Sequence, residues 1–316
     1  MSAATAAAVA SSYDLGAVVG GPVYAARGEQ GRIWRLDTRG GSWAVKELLM
    51  PVGEADAARD VEFQLAAWAA GIPLPLPRLT GAGRVLLPAQ EAASAWSLRV
   101  YQWADLAPRQ AVTGAEIGAV TARLHQVQQV DPRPVEAWFS EPVGEPAWQA
   151  LLSDARRGGA PWAGALGRRL PELIALDAAV AAPDPALMRT CHRDLNTENV
   201  RRAAGGGVIV LDWENSGPAQ PERELATIAA NLAAPAASAA YAAYREAGGP
   251  ARLSRTADFA MAAAVQGHLL QFFSRRALGR DESPENRTRC RERLGHLLRQ
   301  PLTMSRIDRL LDLLAR

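Results

Sequence analysis

The spacing of apolar and polar positions changes character along the chain. Over residues 13–49, short β-branched and apolar runs are cut by glycine: GAVVGGPVY, GRIWRLDT and SWAVKEL, the last two joined by RGG. That pattern predicts an antiparallel sheet with tight turns. The next stretch, EADAARDVEFQLAAWAAG, sets Val61, Leu65 and Trp68 at helical spacing and puts Gly71 where a helix would stop, so one amphipathic helix follows the sheet. GIPLPLP cannot prolong it, because each proline lacks an N–H and restricts the residue before it. Two further strands are expected, at 84–87 and 96–102.

Beyond Trp103 the chain turns alanine-rich and helical, with Ile117, Val120, Leu124 and Val127 in one stripe. A domain boundary is therefore expected between 103 and 109, giving lobes 1–103 and 104–316. The segment 131–162 has several tryptophans, prolines and glycines but little periodicity, and reads as a substrate-facing insertion or a long loop. Helices should dominate from 163 onward, apart from 192–213. In the last one, Ser305 and Asp308 form a capping box ahead of a face made by Ile307, Leu310, Leu311 and Leu314. The fold class expected is α+β.

Composition narrows the setting. The 316 residues are 48% apolar and 22% charged with a formal net charge of +2, which gives no long-range field for nucleic acid or membrane binding. Two cysteines, Cys191 and Cys290, make no disulfide framework and suit a reducing, cytoplasmic setting. The first residues, MSAATAAAVASS, lack a basic start and a strongly apolar stretch, so they are expected to be a frayed terminus and not a signal peptide. No uncharged apolar run is long enough for a transmembrane helix. Of the 35 basic residues, all but Lys46 are arginine. A lone lysine marks a place that needs a compact point charge and not a planar fork.

The strongest local signal is CHRDLNTENV followed by GGGVIVLDWEN. Phosphoryl transfer needs a group that positions an acceptor hydroxyl, a magnesium ion between phosphate oxygens, and neutralisation of the charge that develops. Asp194 can take or orient the hydroxyl proton. Asn199, five residues on, can supply an amide oxygen to a metal, and Asp212, at the tip of an apolar strand, a hard carboxylate oxygen.

These two motifs resemble the aminoglycoside phosphotransferase and choline-kinase-like family, a branch of the protein-kinase-like fold. That family has an H-x-D-x-x-x-x-N loop and then an apolar strand ending in D-W/F-E, matched here by His192, Asp194, Asn199 and Asp212-Trp213-Glu214. The resemblance implies a bilobal protein-kinase-like fold, with an N-terminal antiparallel sheet carrying one helix and a larger, mainly helical C-terminal lobe. It implies Asp194 as catalytic base, Asn199 and Asp212 as Mg²⁺ ligands, His192 as a brace for the loop, and ATP or GTP as phosphate donor. It also asks for a lysine on the third strand and a helical glutamate to hold it. Lys46 in SWAVKEL answers the first, and Glu62 is the choice for the second, with Glu54 and Asp60 competing. RGEQGR, with Gly28 and Gly31, is the candidate phosphate-covering loop, although it lacks the G-x-G-x-x-G pattern. Backbone groups over 99–103 should form the hinge at the base, flanked by Tyr101 and Trp103. Arg193 and Asn196 depart from residues common in antibiotic kinases. No A-P-E signature follows LDWE, which disfavours a protein substrate.

The family acts on hydroxyls of antibiotics, choline, sugars and amino alcohols. Glu214, Glu222 and Glu224, with Asp131, Glu136, Glu141 and Glu145 in the insertion, offer carboxylates for a cationic acceptor. The leading expectation is thus a kinase that phosphorylates a cationic antibiotic and confers resistance, as a monomer or homodimer. The alternatives are a metabolic kinase for choline, homoserine or a sugar, and a nucleotide-binding pseudokinase. His125 is expected as a core buttress, and His268 and His296 as structural.

Overall fold

The computed structural model describes residues 1–28, 31–88, 97–107, 111–127 and 129–315. Trp96 and Arg109, at the edges of an expected strand and boundary, and the middle of RGEQGR lie outside the described residues. In chain order the elements are α1 (Ala3–Ser12), β1 (Val23–Arg27), β2 (Gly31–Thr38), β3 (Gly41–Leu48), α2 (Glu54–Ala69), β4 (Pro77–Arg78), β5 (Leu87–Pro88), β6 (Ser97–Gln102), α3 (Gly114–Gln126), α4 (Ala137–Ser140), α5 (Glu145–Arg157), α6 (Ala163–Asp177), β7 (Arg189–Cys191), β8 (Val200–Arg202), β9 (Val208–Val210), β10 (Gly217–Ala219), α7 (Pro221–Asn231), α8 (Ala234–Glu246), α9 (Ala260–Leu278), α10 (Pro284–Arg299) and α11 (Met304–Leu314). They divide into two compact units, Met1–Val112 with Asp194–Ser216, and Thr113–Arg193 with Gly217–Arg316. Among the described residues no helix is long and apolar enough to cross a membrane.

In the first unit the antiparallel sheet runs β1-β2-β3-β6-β4, with β5 also on β6. The expected 84–87 strand reduces to Leu87–Pro88. The N-terminal run is a helix, not a frayed end. Ser2 caps it by accepting the Thr5 N–H at 3.1 Å, and Ala6, Val9 and Ala10 bury against Tyr13, Leu15, Leu36, Val45 and Val100. Alanine packs closely there without the large apolar residues that would have signalled it.

Helix α2 spans Glu54–Ala69, but its buried face is Ala57, Asp60, Val61, Phe63, Gln64 and Ala67. Leu65 and Trp68 of the expected stripe are exposed. The segment 194–216 joins this unit through main-chain bonds: Ala107 N–H to the Arg202 carbonyl and Val210 N–H to the Pro73 carbonyl, both 2.9 Å. Phe63 of α2 meets Trp213 edge-on, with ring centroids 5.6 Å apart.

The second unit is helical, with one core around α3, α7, α8, α9 and α11 and another around α5, α6, α9 and α10. The stretch 131–162 is not a long loop: it carries α4 and α5. Trp148, Leu151, Leu152 and Ala155 form the buried stripe of α5, and Trp162 is buried beside them. The cap of α11 is Thr303, whose hydroxyl accepts the Arg306 N–H at 3.3 Å, and not Ser305. The expected face holds at Ile307, Leu310 and Leu314.

Helix α3 lies against α8 at backbone distance. A Cβ on Gly114 or Gly118 would meet the carbonyl oxygen of Ala236 at 2.1 Å or of Ala240 at 1.9 Å. Neither oxygen can withdraw without moving α8. Gly118→Ala should therefore lower stability by about 1–3 kcal/mol or more, the usual cost of overpacking. Gly164→Ala, on the exposed side of α6 with only Arg168 at 3.6 Å, should be neutral or stabilising. Urea midpoints of the two variants check this, and equal midpoints would contradict the close approach.

Candidate active site

The hairpin β8–β9 pairs Val200 with Val210, and the Leu211 N–H donates to the Asn199 carbonyl at 2.8 Å. Asn199 and Asp212 therefore flank the same end of one antiparallel pair. At that end Asp212 adopts a left-handed conformation, φ 61°, which is unusual for a residue other than glycine and costs about 1–3 kcal/mol. A 3₁₀ turn over Trp213–Asn215 follows.

Asp194 is held in this hairpin region by three amides. Its Oδ1 accepts Asn196 Nδ2 at 2.9 Å, its Oδ2 accepts Asn215 Nδ2 at 3.2 Å, and its carbonyl accepts Asn199 Nδ2 at 2.9 Å. These amides orient the carboxylate, whose two oxygens offer about four lone-pair sites. The bond to Asn199 uses the amide nitrogen, which leaves the amide oxygen of Asn199 as a hard donor. With the half-exposed carboxylate of Asp212, 43% exposed, the donor set fits an oxygen-preferring cation such as Mg²⁺.

Lys46 lies on β3, and its ammonium donates to Asp212 Oδ1 at 2.7 Å and Glu214 Oε2 at 2.8 Å. Burial would lower its pKa, but Glu214 and Asp212 outweigh this and hold the ammonium above the ordinary lysine range. Glu214 is the more buried carboxylate, 6% exposed. Burial raises its pKa, but Lys46 and then Arg99 hold it well below the usual carboxylate range. Asp212 moves the other way. The loss of water on its protein-facing side, against the pull of Lys46 and with the repulsion of Glu214, pushes it up to about 7 although its other side is open. A carboxylate so placed favours a further cation.

Two expected partners are corrected. Glu62 sits on the exposed face of α2, because the inward register runs through Asp60, Val61, Phe63 and Gln64. Lys46 takes its carboxylates from 212 and 214 instead. Glu214, expected to bind substrate, is turned inward to Lys46 and to the Tyr101 hydroxyl, which donates to its Oε1 at 2.9 Å. The helix carboxylate that does face inward, Asp60, pairs with Arg99 at 3.4 Å.

Gly31 lies across from Leu48 in the sheet. A Cβ there would come within 2.8 Å of the Glu47 carbonyl and 3.0 Å of the Lys46 side chain, so glycine is required beside the lysine. Gly28 N–H donates to the Gly31 carbonyl at 2.9 Å, tying together the two glycines that the sequence singled out. The expected hinge is mostly strand: β6 continues to Gln102, and the N–H groups of Gln102 and Trp103 already bond Leu76 and Ser42 carbonyls at 2.8 and 3.0 Å. Trp103 carries the Arg35 guanidinium 5.2 Å from its ring centroid and donates to Asp105 at 2.9 Å.

Within the second unit, His192 is fully buried and Arg193 is left-handed at φ 64°. The Arg193 N–H donates to Glu224 Oε1, and its guanidinium pairs with Glu136 and stacks 3.9 Å over Phe139. His125 Nε2 meets Glu224 Oε2 at 2.9 Å and Nδ1 meets the Tyr244 hydroxyl at 2.8 Å. Since a carboxylate only accepts, Nε2 carries the proton and Nδ1 accepts from the tyrosine. Burial works against it, but the hydrogen bond from His125 holds Glu224 below its ordinary pKa. His125 is thus the expected core buttress. Sequence reasoning missed Arg99, Asn215 and the central place of Glu224. Asn215 abuts the DWE motif and had a local signal, whereas the other two depend on distant partners.

Residues 25–264 match the model of the phosphotransferase enzyme family. No curated relative matches the chain. Solved structures share the protein-kinase-like fold. A spectinomycin phosphotransferase in complex with ADP and spectinomycin is 13% identical, covers 99% of each chain and has a TM-score of 0.68. An amicoumacin kinase in complex with AMP-PNP and Ca²⁺ is 18% identical over 96% of this chain and 95% of its own, TM-score 0.57. A microcompartment-associated aminopropanol kinase is 15% identical over 88% and 90%, TM-score 0.55. The family match runs from β1 into α9 and takes in both networks described above, and the chain therefore belongs to the phosphotransferase enzyme family as a small-molecule phosphotransferase.

Proposed function

We propose that the chain transfers the γ-phosphate of ATP, or GTP, to a hydroxyl of a small cationic molecule, an antibiotic before a metabolite, in the cytoplasm. The observation that carries this reading is the junction of Lys46 with Asp212 and Glu214, joined through Asn215 to Asp194. A triphosphate needs such a compact ammonium, and the acceptor hydroxyl needs such an oriented carboxylate. The antibiotic names of two structural neighbours support the acceptor class, while the aminopropanol kinase keeps a metabolic amino alcohol as the second reading.

In this mechanism Asp194 hydrogen-bonds the acceptor hydroxyl and takes its proton as the oxygen attacks the γ-phosphorus. The bond from that phosphorus to the bridging oxygen of the departing diphosphate breaks. Lys46 steadies the α- and β-phosphates, and the turn of Gly28 and Gly31 covers them. Asn199 and Asp212 would hold Mg²⁺, which would supply positive charge to the phosphate oxygens. His192, with Glu224 on the adjacent peptide, braces the loop that carries Asp194. Tyr101 and Trp103 stand near the base side of the nucleotide.

A coupled diphosphate-release assay with Mg²⁺, run over a panel of aminoglycosides, other cationic antibiotics, choline, amino alcohols and sugars, tests the reading. One saturable antibiotic, matched by protection of cells expressing the protein, is the expected result. Turnover confined to a neutral sugar would replace the acceptor class, and no diphosphate release with either nucleotide would leave the pseudokinase.

With the acceptor identified, Asp194→Ala should lower kcat by about 10²-fold or more through loss of general-base help and positioning. Nucleotide KM should stay within a few-fold, and retained turnover would refute the base. Lys46→Arg should not rescue Lys46→Met, because a planar fork cannot occupy a gap sized for one ammonium between two carboxylates. Both variants should lose about 10-fold or more in kcat/KM for nucleotide, as steady-state kinetics would show.

A further inference from the structure

The first unit contains a buried residue that the mechanism above does not use. Arg99 sits on β6 directly opposite Lys46 on β3 and is 1% exposed. Its Nη1 lies 3.4 Å from Asp60 Oδ2 and 3.7 Å from Glu214 Oε1, while Nε and Nη2 meet no acceptor among the described residues. An arginine buried on such terms is a poor stabiliser, since a well-packed apolar side chain of similar volume does as well or better than a buried ion pair.

The geometry around Glu214 suggests what the residue does. Its two oxygens are divided: Oε1 faces the Tyr101 hydroxyl at 2.9 Å and Arg99 at 3.7 Å, and Oε2 faces Lys46 at 2.8 Å. Arg99 also lies 5.3 Å over the Tyr101 ring, so cation, phenol and carboxylate form one packed group. With Oε1 held from behind, Oε2 is fixed on the ammonium. Asp60, the inward carboxylate of α2, pairs with the same Arg99 nitrogen that faces Glu214.

We infer that Arg99, with Tyr101, is a positioning residue for nucleotide phosphates: it holds Glu214 so that the Lys46 ammonium is presented to them. The inference rests on the proposed role of Lys46. Arg99 touches no phosphate itself. Its removal lets the Glu214 carboxylate turn from Lys46, so phosphate affinity falls while affinity for the base does not.

The test measures binding of Mg·AMP-PNP, or Mg·GMP-PNP if the wild type prefers it, beside binding of the bare nucleoside. Arg99→Met alone removes the cationic partner of Asp60, so the informative variant is Arg99→Met with Asp60→Asn, which removes both charges and should keep the thermal midpoint close to wild type. The triphosphate analogue should then bind about 10-fold more weakly or worse, and the nucleoside within about 2-fold of wild type. Tyr101→Phe deletes one hydroxyl from the same clamp, introduces no unpaired charge, and should weaken the analogue several-fold. Wild-type affinity of the double variant for the analogue would overturn the inference, as would equal losses for analogue and nucleoside, the mark of a purely structural residue. Lys46→Met separates the two levels. If it weakens the analogue and the Arg99 and Tyr101 variants do not, Arg99 has no positioning role, whereas an analogue affinity unchanged by Lys46→Met removes the reading of Lys46 and this inference with it.

Discussion

A lysine ammonium taken out of water is tolerated only with opposite charge at contact distance. Lys46 meets that condition with two carboxylates, Asp212 and Glu214, and much of the first unit is arranged around it. Two side chains two residues apart reach one ammonium because Asp212 is left-handed and a 3₁₀ turn follows. The residue between them points elsewhere: the Trp213 ring N–H donates to the Val210 carbonyl at 3.1 Å, and the ring packs on Phe63 of α2. A single three-residue turn thus seats the helix on one side and neutralises the lysine on the other. The strained backbone at 212 is the cost of that double duty. Asn215, the last residue of the turn, reaches Asp194 and carries the same constraint to the second acidic group.

What the sequence made legible were features whose signal is local. The strands over 31–38 and 41–48 alternate and are punctuated by glycine, and the HRDLNTEN and LDWEN strings keep their meaning at short range. The lone lysine stood out against 34 arginines. Failures came where a choice of face or partner depended on packing. In α2 the register with Leu65 and Trp68 inward looks as apolar as the observed one, but the face that packs includes Asp60 and Gln64, which hydropathy rejects. That inversion is also what put Glu62 outside and made it the wrong partner for Lys46. Helix α1 escaped because alanine gives a weak periodic signal, although alanine is what fits so close to the sheet.

Contacts of high sequence separation account for the rest. Glu224 binds the peptide of Arg193 and the ring of His125, 31 and 99 positions away, and His125 reaches Tyr244, 119 positions away. Each residue alone reads as an ordinary helical position. Together they secure the left-handed Arg193 in a network whose hydrogen bonds are reciprocally satisfied, the condition under which buried polar groups rigidify a structure. The same backbone device, a non-glycine residue at positive φ held by a carboxylate or an amine, thus appears on the residue before Asp194 and at Asp212 itself.

Acidic residues counted along the chain overstate the negative charge left for an acceptor. Glu214 neutralises Lys46, Glu136 pairs with Arg193, Asp131 accepts Arg133 at 2.5 Å, and Glu224 is buried on His125. Four of the seven carboxylates that suggested a cationic acceptor therefore serve the protein's own cations and donors. Glu141 and Glu145 are exposed and Glu222 is partly buried. Exposed carboxylates attract a cation only weakly, because water and salt screen them within about 10 Å. The carboxylate of Asp194, by contrast, is oriented by the amides of Asn196 and Asn215.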